Sequence, residues 1–305
     1  MAARGARADN GGVTPNLPTS ITVTPSRLAA VICACMLLLS ACSMPRLIYS
    51  QADWLLLREV NDYLDLDDAQ STQLAAAIAM GMRQHRVQEL PDIGATLRDF
   101  AVQARDGLRP AQVHAGIERV RALALRSAEL GVPALSDALA NLTPQQRAHL
   151  ARRFDERNAK YAERHALDAS QEVRLERRAR RTVERIEDWT GPLLPEQVAL
   201  VHAIRGTMPD VAAHWLAYAR SRQRALLAQL DAGAPARDIG ALLRRSWLHQ
   251  EDLPPALAAP RERQIAVLVE LLVRLDATLD STQRAHLVGR LEDYARDADS
   301  LSRET

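Results

Sequence analysis

The sequence predicts an all-α protein, an antiparallel multi-helix bundle or irregular helical array with no sheet. Three observations carry that expectation. Good helix formers (Ala, Leu, Arg, Gln and Glu) dominate, β-branched residues are few, and aromatics make up only 4% of the chain. No stretch of strand length alternates apolar and polar residues with period two. A helix-start pattern, a cap followed three residues later by glutamine, recurs along the chain.

Each element follows in order. From about Ser50, Trp54 and Leu57 are three apart, and Leu56, Val60 and Tyr63 continue at helical spacing, so this helix is expected to pack into the body with Trp54 as a core anchor. The alternative places Tyr49 and Trp54 among lipid headgroups, where amphipathic aromatics are enriched. Asp67-Asp68-Ala69-Gln70 opens the next helix, with acidic charge at its positive end. Arg109-Pro110-Ala111-Gln112, Thr143-Pro144-Gln145-Gln146, Leu194-Pro195-Glu196-Gln197 and Asp280-Ser281-Thr282-Gln283 open others, and Ala234-Pro235-Ala236-Arg237 is a weaker copy. Thr143 and Asp280 suit a capping box, and proline in the first turn needs no N–H partner. In Ser170–Trp189 the apolar stripe is narrow (Leu175, Ala179, Val183, Ile186, Trp189), and its arginine run reads as a solvated face. In Arg261–Ala277 the stripe is Ile265, Leu268, Val269, Leu272 and Leu275. The start signals are too unevenly spaced for a fixed-period solenoid.

The amino-terminal region has a different character. Leu28–Leu39 is uncharged, follows Arg27, and is too short to span a bilayer, which takes roughly 20 apolar residues. It has the length of a secretory h-region. Leu39-Ser40-Ala41-Cys42 resembles the lipobox of bacterial lipoproteins. That resemblance implies removal of residues 1–41, a diacylglycerol on Cys42, and a further acyl group on its new amino terminus. Ser43 rather than Asp after the cysteine implies, by the same resemblance, transfer to the outer membrane, facing the periplasm. The first 27 residues are long for an n-region. They read either as a disordered extension or as a sign that the true start lies downstream, for example at Val13 or Val23. The expected organisation is a signal over 1–41, the lipidated cysteine and a short linker over 42–49, and one helical domain over 50–305.

Composition narrows the function classes. Cys33 and Cys35 would leave with the signal, so no disulfide holds the mature fold. Removing Arg4, Arg7, Arg27 and Asp9 from 39 basic and 38 acidic residues leaves 36 and 37, which argues against a nucleic-acid partner. The expected partners are the membrane, through the lipid, and an envelope protein.

Two further resemblances bear on identity. RLIYSQADWLLLREVNDYLDLDDAQ (46–70), HRVQELP (85–91) and RLDATLDSTQRAHLVGRLEDYA (274–295) are similar to an uncharacterised lipoprotein family of proteobacteria built on a domain of unknown function. Leu142-Thr143-Pro144-Gln145-Gln146 resembles the LTxxQ element of the Spy and CpxP periplasmic chaperones, with a near copy at Leu279–Gln283. Those chaperones are small and not lipidated, whereas this chain is about twice as long.

Motifs for chemistry are largely missing. There is no G-x-S-x-G, no phosphate-binding G-x-x-x-x-G-K and no H-E-x-x-H. His85 and Glu89, four apart, could relay a proton or bind a metal, but no third ligand is identifiable, so no metal, cofactor or catalytic residue is assigned. With Arg86 they form the candidate binding surface. The expected function is a non-enzymatic, protein-binding or chaperone-like lipoprotein. The alternatives are an enzyme or regulator of peptidoglycan or lipid metabolism, with His85 and Glu89 as its polar centre, and a structural spacer between membrane and cell wall.

Overall fold

The computed structural model describes residues 44–304. Cys42 and the signal-like segment lie outside them. The elements are α1 (Met44–Ser50), α2 (Ala52–Leu64), α3 (Asp68–Gln88), α4 (Leu90–Asp106), α5 (Pro110–Glu129), α6 (Val132–Ala140) and α7 (Pro144–Arg164). They continue with α8 (Gln171–Thr190), α9 (Pro195–Gly206), α10 (Ala212–Asp231), α11 (Ala236–Leu242, running on as a π-helical turn to Leu248), α12 (Pro255–Ala258), α13 (Arg261–Asp276) and α14 (Ser281–Arg303). Among the described residues there is no strand, so the all-α expectation holds. No described helix is long and apolar enough to cross a membrane.

The predicted starts are where helices begin, and their glutamines do more than cap. At Asp67, Thr143 and Asp280 the cap side chain accepts from the third backbone N–H, and the glutamine side chain accepts from the cap's own N–H. At Arg109 and Leu194 the cap has no side-chain acceptor, and only the glutamine half forms. Two pairs of these glutamines then meet. Gln70 bonds Gln146 across α3 and α7, and Gln197 bonds Gln283 across α9 and α14. Helix starts 76 and 86 residues apart in sequence are thereby tied side by side.

The closest helix pair is α4 with α14. Arg98 meets Asp299 at 2.5 Å and Arg105 meets Glu292, a pairing that runs in opposite directions along the two helices and makes them antiparallel. Small residues permit the approach: Ala101, Ala104, Ala295 and Ala298 are all buried. At Gly94 a Cβ would stand 2.8 Å from an Asp299 carboxylate oxygen and 3.5 Å from Ala298 Cβ. The main core lies elsewhere, where Leu64, Leu74, Leu139, Leu150, Leu226 and Ile239 bring α2, α3, α6, α7, α10 and α11 together. A second core joins α8, α9 and α13 through Val183, Val201, Val267 and Leu271.

Three expectations need correction. The segment read as a linker is helical from Met44, because Tyr49 packs against a cluster of Leu90, Ala298 and Leu301, and Arg46 pairs with Glu304. Trp54 is not a core anchor. It is 55% exposed, beside exposed Leu55 and Leu56, and α2 enters the core one turn later through Leu57, Val60, Tyr63 and Leu64. The deepest face of α13 is Val267, Leu271 and Leu275, offset from the stripe read in sequence, because this helix is apolar around most of its circumference and is covered from more than one side.

Candidate functional site

His85 stands on the last turn of α3, where the helix passes under α1 and beside the end of α5. Its Nδ1 lies 2.9 Å from the Tyr49 hydroxyl and its Nε2 3.1 Å from Ser127 Oγ. Both ring nitrogens are thus engaged by hydroxyls, which suits either neutral tautomer. Burial pushes the His85 pKa down, with the nearby Glu89 charge partly opposing, so the ring is neutral at pH 7.

Glu89 and Arg86 do not join His85 in a catalytic or ligating set. Glu89 is buried where α3 passes into α4, and its carboxylate takes Arg126 Nε at 2.9 Å. Arg126 also bonds Asp92 at 2.8 Å, so the three form a tie between α4 and α5. Arg86 lies with its guanidinium 5.7 Å from the centre of the Tyr49 ring. No group of three metal-ligating side chains comes together among the described residues.

What His85 and Ser127 do adjoin is a cavity of about 570 Å³ that opens the main core to the surface. That volume lies within the range of small-molecule and apolar side-chain sites, roughly 300–1,000 Å³. Buried Leu74, Val132, Leu139, Leu150, Leu226 and Leu243 form the floor. Half-buried Tyr63, Ile78, Met82, Phe154, Trp247 and Leu248 form the walls. Exposed Leu56, Glu59 and Ala128 stand at the mouth. His85, Ser127 and the rim carboxylate of Glu59 are the main polar features of an otherwise apolar lining.

Of the candidate site residues His85, Arg86 and Glu89, only His85 reaches this cavity, where Leu56, Val60 and Tyr63 of the predicted first helix also stand. Ser127, Met82, Phe154 and Trp247 had no local signal, since each belongs to a different helix and their meeting depends on how α3, α5, α7 and the π-turn pack. Trp247 lies in the π-turn, partly buried against the main core. The turn is held by Ser246, whose carbonyl accepts from Tyr218 at 3.0 Å and from Arg222 at 2.9 Å.

A family described as being of unknown function, DUF6279, matches residues 62–247. That stretch begins on α2, ends at Trp247, and includes nearly every residue of the cavity. It leaves out the 274–295 segment and most of the 46–70 segment that carried the resemblance in sequence. No curated protein and no solved structure matches the chain.

Proposed function

We propose that this chain, which belongs to the DUF6279 family of unknown function, is a non-enzymatic helical lipoprotein of the Gram-negative envelope that seats apolar side chains of a client protein in the cavity beside His85. In this reading Cys42 carries the lipid and holds the domain at the outer membrane, facing the periplasm. The observation that carries the binding role is the cavity: an apolar pit of ligand size open to the surface, with exposed Leu55 and Leu56 on the adjoining helix. Apolar segments bind such pits through anchors at helical spacing, and the water released supplies the driving force.

A second reading, an esterase-like enzyme, rests on one contact, His85 Nε2 to Ser127 Oγ at 3.1 Å. It is weaker on physical grounds. The third member would be Tyr49, a neutral phenol that burial pushes to a still higher pKa, and it cannot stabilise an imidazolium as a carboxylate does. Ser127 also sits in the last turn of α5, where backbone N–H groups are committed to the helix.

The test is photo-crosslinking in cells from a reactive residue at Ile78, inside the cavity, against the same residue at exposed Arg237. Discrete protein adducts from 78 only, lost when Ala128→Trp blocks the mouth, support client binding. Equal adducts from both positions overturn it. Labelling of Ser127 by a fluorophosphonate, abolished in Ser127→Ala, would establish the enzyme instead.

A further inference from the structure

The arginines of α8 are not a uniform solvated face. Arg174, Arg178 and Arg181 turn into a second cavity, of about 540 Å³, where Arg205 of α9, Arg121 of α5 and Arg261 of α13 join them. Glu118 and Asp210 are the carboxylates on its lining, and both are taken. Glu118 faces Arg121 at 3.7 Å, and Asp210 holds Arg174 at 2.7 Å. Among the described residues Arg178, Arg181, Arg205 and Arg261 form no ion pair with a carboxylate, and Asp210, already held by Arg174, acts on Arg178 only at longer range.

The hydrogen bonds that Arg178, Arg181 and Arg205 make do not neutralise them. Arg178 donates to the carbonyls of Met208 at 2.7 Å and Pro209 at 3.0 Å, and Arg181 to that of Arg164 at 2.6 Å. Arg205 meets only the Met208 sulfur, at 2.6 Å. The Nε atoms of Arg178 and Arg205 are shielded from solvent and have no hydrogen-bond partner. Burial, with Arg178, Arg185 and Arg181 adding like charge, pulls the Arg205 pKa down to about 10.

Arginine abundance alone does not explain this. Arg284 and Arg153, also drawn in from the surface, find carboxylates at Asp276 and Asp62, and Arg222, which has no ion pair, lies over the Tyr218 and Trp247 rings, whereas here several such cations share one cavity. A guanidinium taken from water without a counter-charge is unfavourable, and a cluster of them more so. An anion with several oxygens would supply what the cavity lacks, and the guanidinium fork suits phosphate in a bidentate mode. The remaining lining carries apolar Trp215, Leu253, Leu257, Ile265 and Leu268, with Tyr161, His165, Gln250 and Gln264 as its uncharged polar groups.

We infer that this second cavity binds a phosphate group, held by Arg178, Arg181, Arg205 and Arg261, with any apolar part of the ligand lying along Trp215, Leu257 and Ile265. The site is independent of the cavity beside His85 and of the client-binding reading. Phosphate of this kind could come from a lipid headgroup or from the free anion, and the two are distinguishable.

The experiment is calorimetric titration of the full chain in neutral detergent with inorganic phosphate, oleoyl lysophosphatidic acid and, as a neutral control, monoolein. Binding of lysophosphatidic acid at least tenfold tighter than inorganic phosphate assigns a lipid headgroup, whereas equal affinities assign the free anion. Either result, with monoolein inert, supports the site. Arg205→Gln should weaken binding at least tenfold while melting no lower than the wild-type protein without ligand, since it removes a cation that lacks a counter-charge. If that variant does not fold, Arg261→Gln at its half-buried position reads the same loss. No binding of either phosphate, binding of monoolein equal to that of lysophosphatidic acid, or undiminished binding by the folded arginine variant would overturn the inference.

Discussion

Gln197 and Gln283 hold each other's side-chain amides, Nε2 to Oε1 at 2.9 Å one way and 2.8 Å the other. Each Oε1 also accepts the N–H of its own helix cap, from Leu194 at 2.8 Å and Asp280 at 3.2 Å. Each Nε2 also donates across to a backbone carbonyl, Gln197 to Thr278 and Gln283 to Pro192. Every donor and acceptor of two buried amides is therefore used, in an arrangement close to two-fold symmetric. Gln70 and Gln146 repeat it between α3 and α7.

Breaking one member leaves the other's buried amide short of partners. Gln197→Ala is expected to destabilise by about 2–4 kcal/mol, combining an orphaned polar group with a lost helix cap. Gln283→Ala should cost a similar amount. The double variant should cost clearly less than the sum, because the second change removes the group that the first had orphaned. Urea unfolding of the four proteins measures this, and strict additivity would refute the reciprocal arrangement.

Asp276 ties the end of α13 to α14 and to the loop between α4 and α5. Its carboxylate takes Arg284 Nη1 and the Leu108 backbone N–H, both at 2.8 Å, and its side chain is only 5% exposed. Asp276→Ala would leave Arg284 largely buried without its counter-charge. The expected loss is about 3–5 kcal/mol, read by chemical unfolding. Replacing Arg284 as well, by Met, should recover part of it.

The pH dependence has a definite sign. Burial lowers the pKa of His85 and of His165 from 6.5, and Arg181 and Arg164 lower His165 further. Well above pH 6.5, by about pH 7.5, both are neutral, folded or unfolded, and contribute no pH dependence. As the pH falls below that value the unfolded chain takes up protons first, so stability declines until the folded pKa values are passed. Asp210 and Asp252, whose pKa values the fold holds down, act in a separate and more acidic window. His85→Gln should melt lower at pH 7.5, having lost its hydroxyl partners, yet lose less further stability between pH 7.5 and 5.5. Thermal melts at the two pH values are the measurement.

Trp54 is exposed, with the Arg58 guanidinium 5.3 Å from its ring centre. Trp54→Ala is therefore expected to shift stability by no more than about 0.5 kcal/mol, the range of ordinary surface changes. The contrasting case is Leu150, which is 2% exposed in the main core and should lose about 2–5 kcal/mol on truncation to alanine. If Trp54 lies among headgroups once Cys42 is lipidated, the alanine variant will also bind anionic vesicles more weakly.

Helix existence and helix starts were legible in the sequence because they are local. A cap, a proline in the first turn and a glutamine three residues on satisfy backbone groups within one turn, so Asp67, Thr143, Leu194 and Asp280 open helices whatever packs beside them. Which face of a helix meets the core is not local. Helix α2 offers Trp54, Leu55 and Leu56 as readily as Leu57, Val60 and Tyr63, and only the positions of α3 and α7 decide between them. The same holds for both cavities. His85 could be singled out as a polar residue on a helix, but its partners Tyr49 and Ser127 lie 36 and 42 residues away. The arginines of α8 read as a wet face because their helix is amphipathic. Packing of α8 against α9 and α13 is what draws three of them together with Arg205, because distance in space rather than in sequence sets how charges repel and which counter-charges they find.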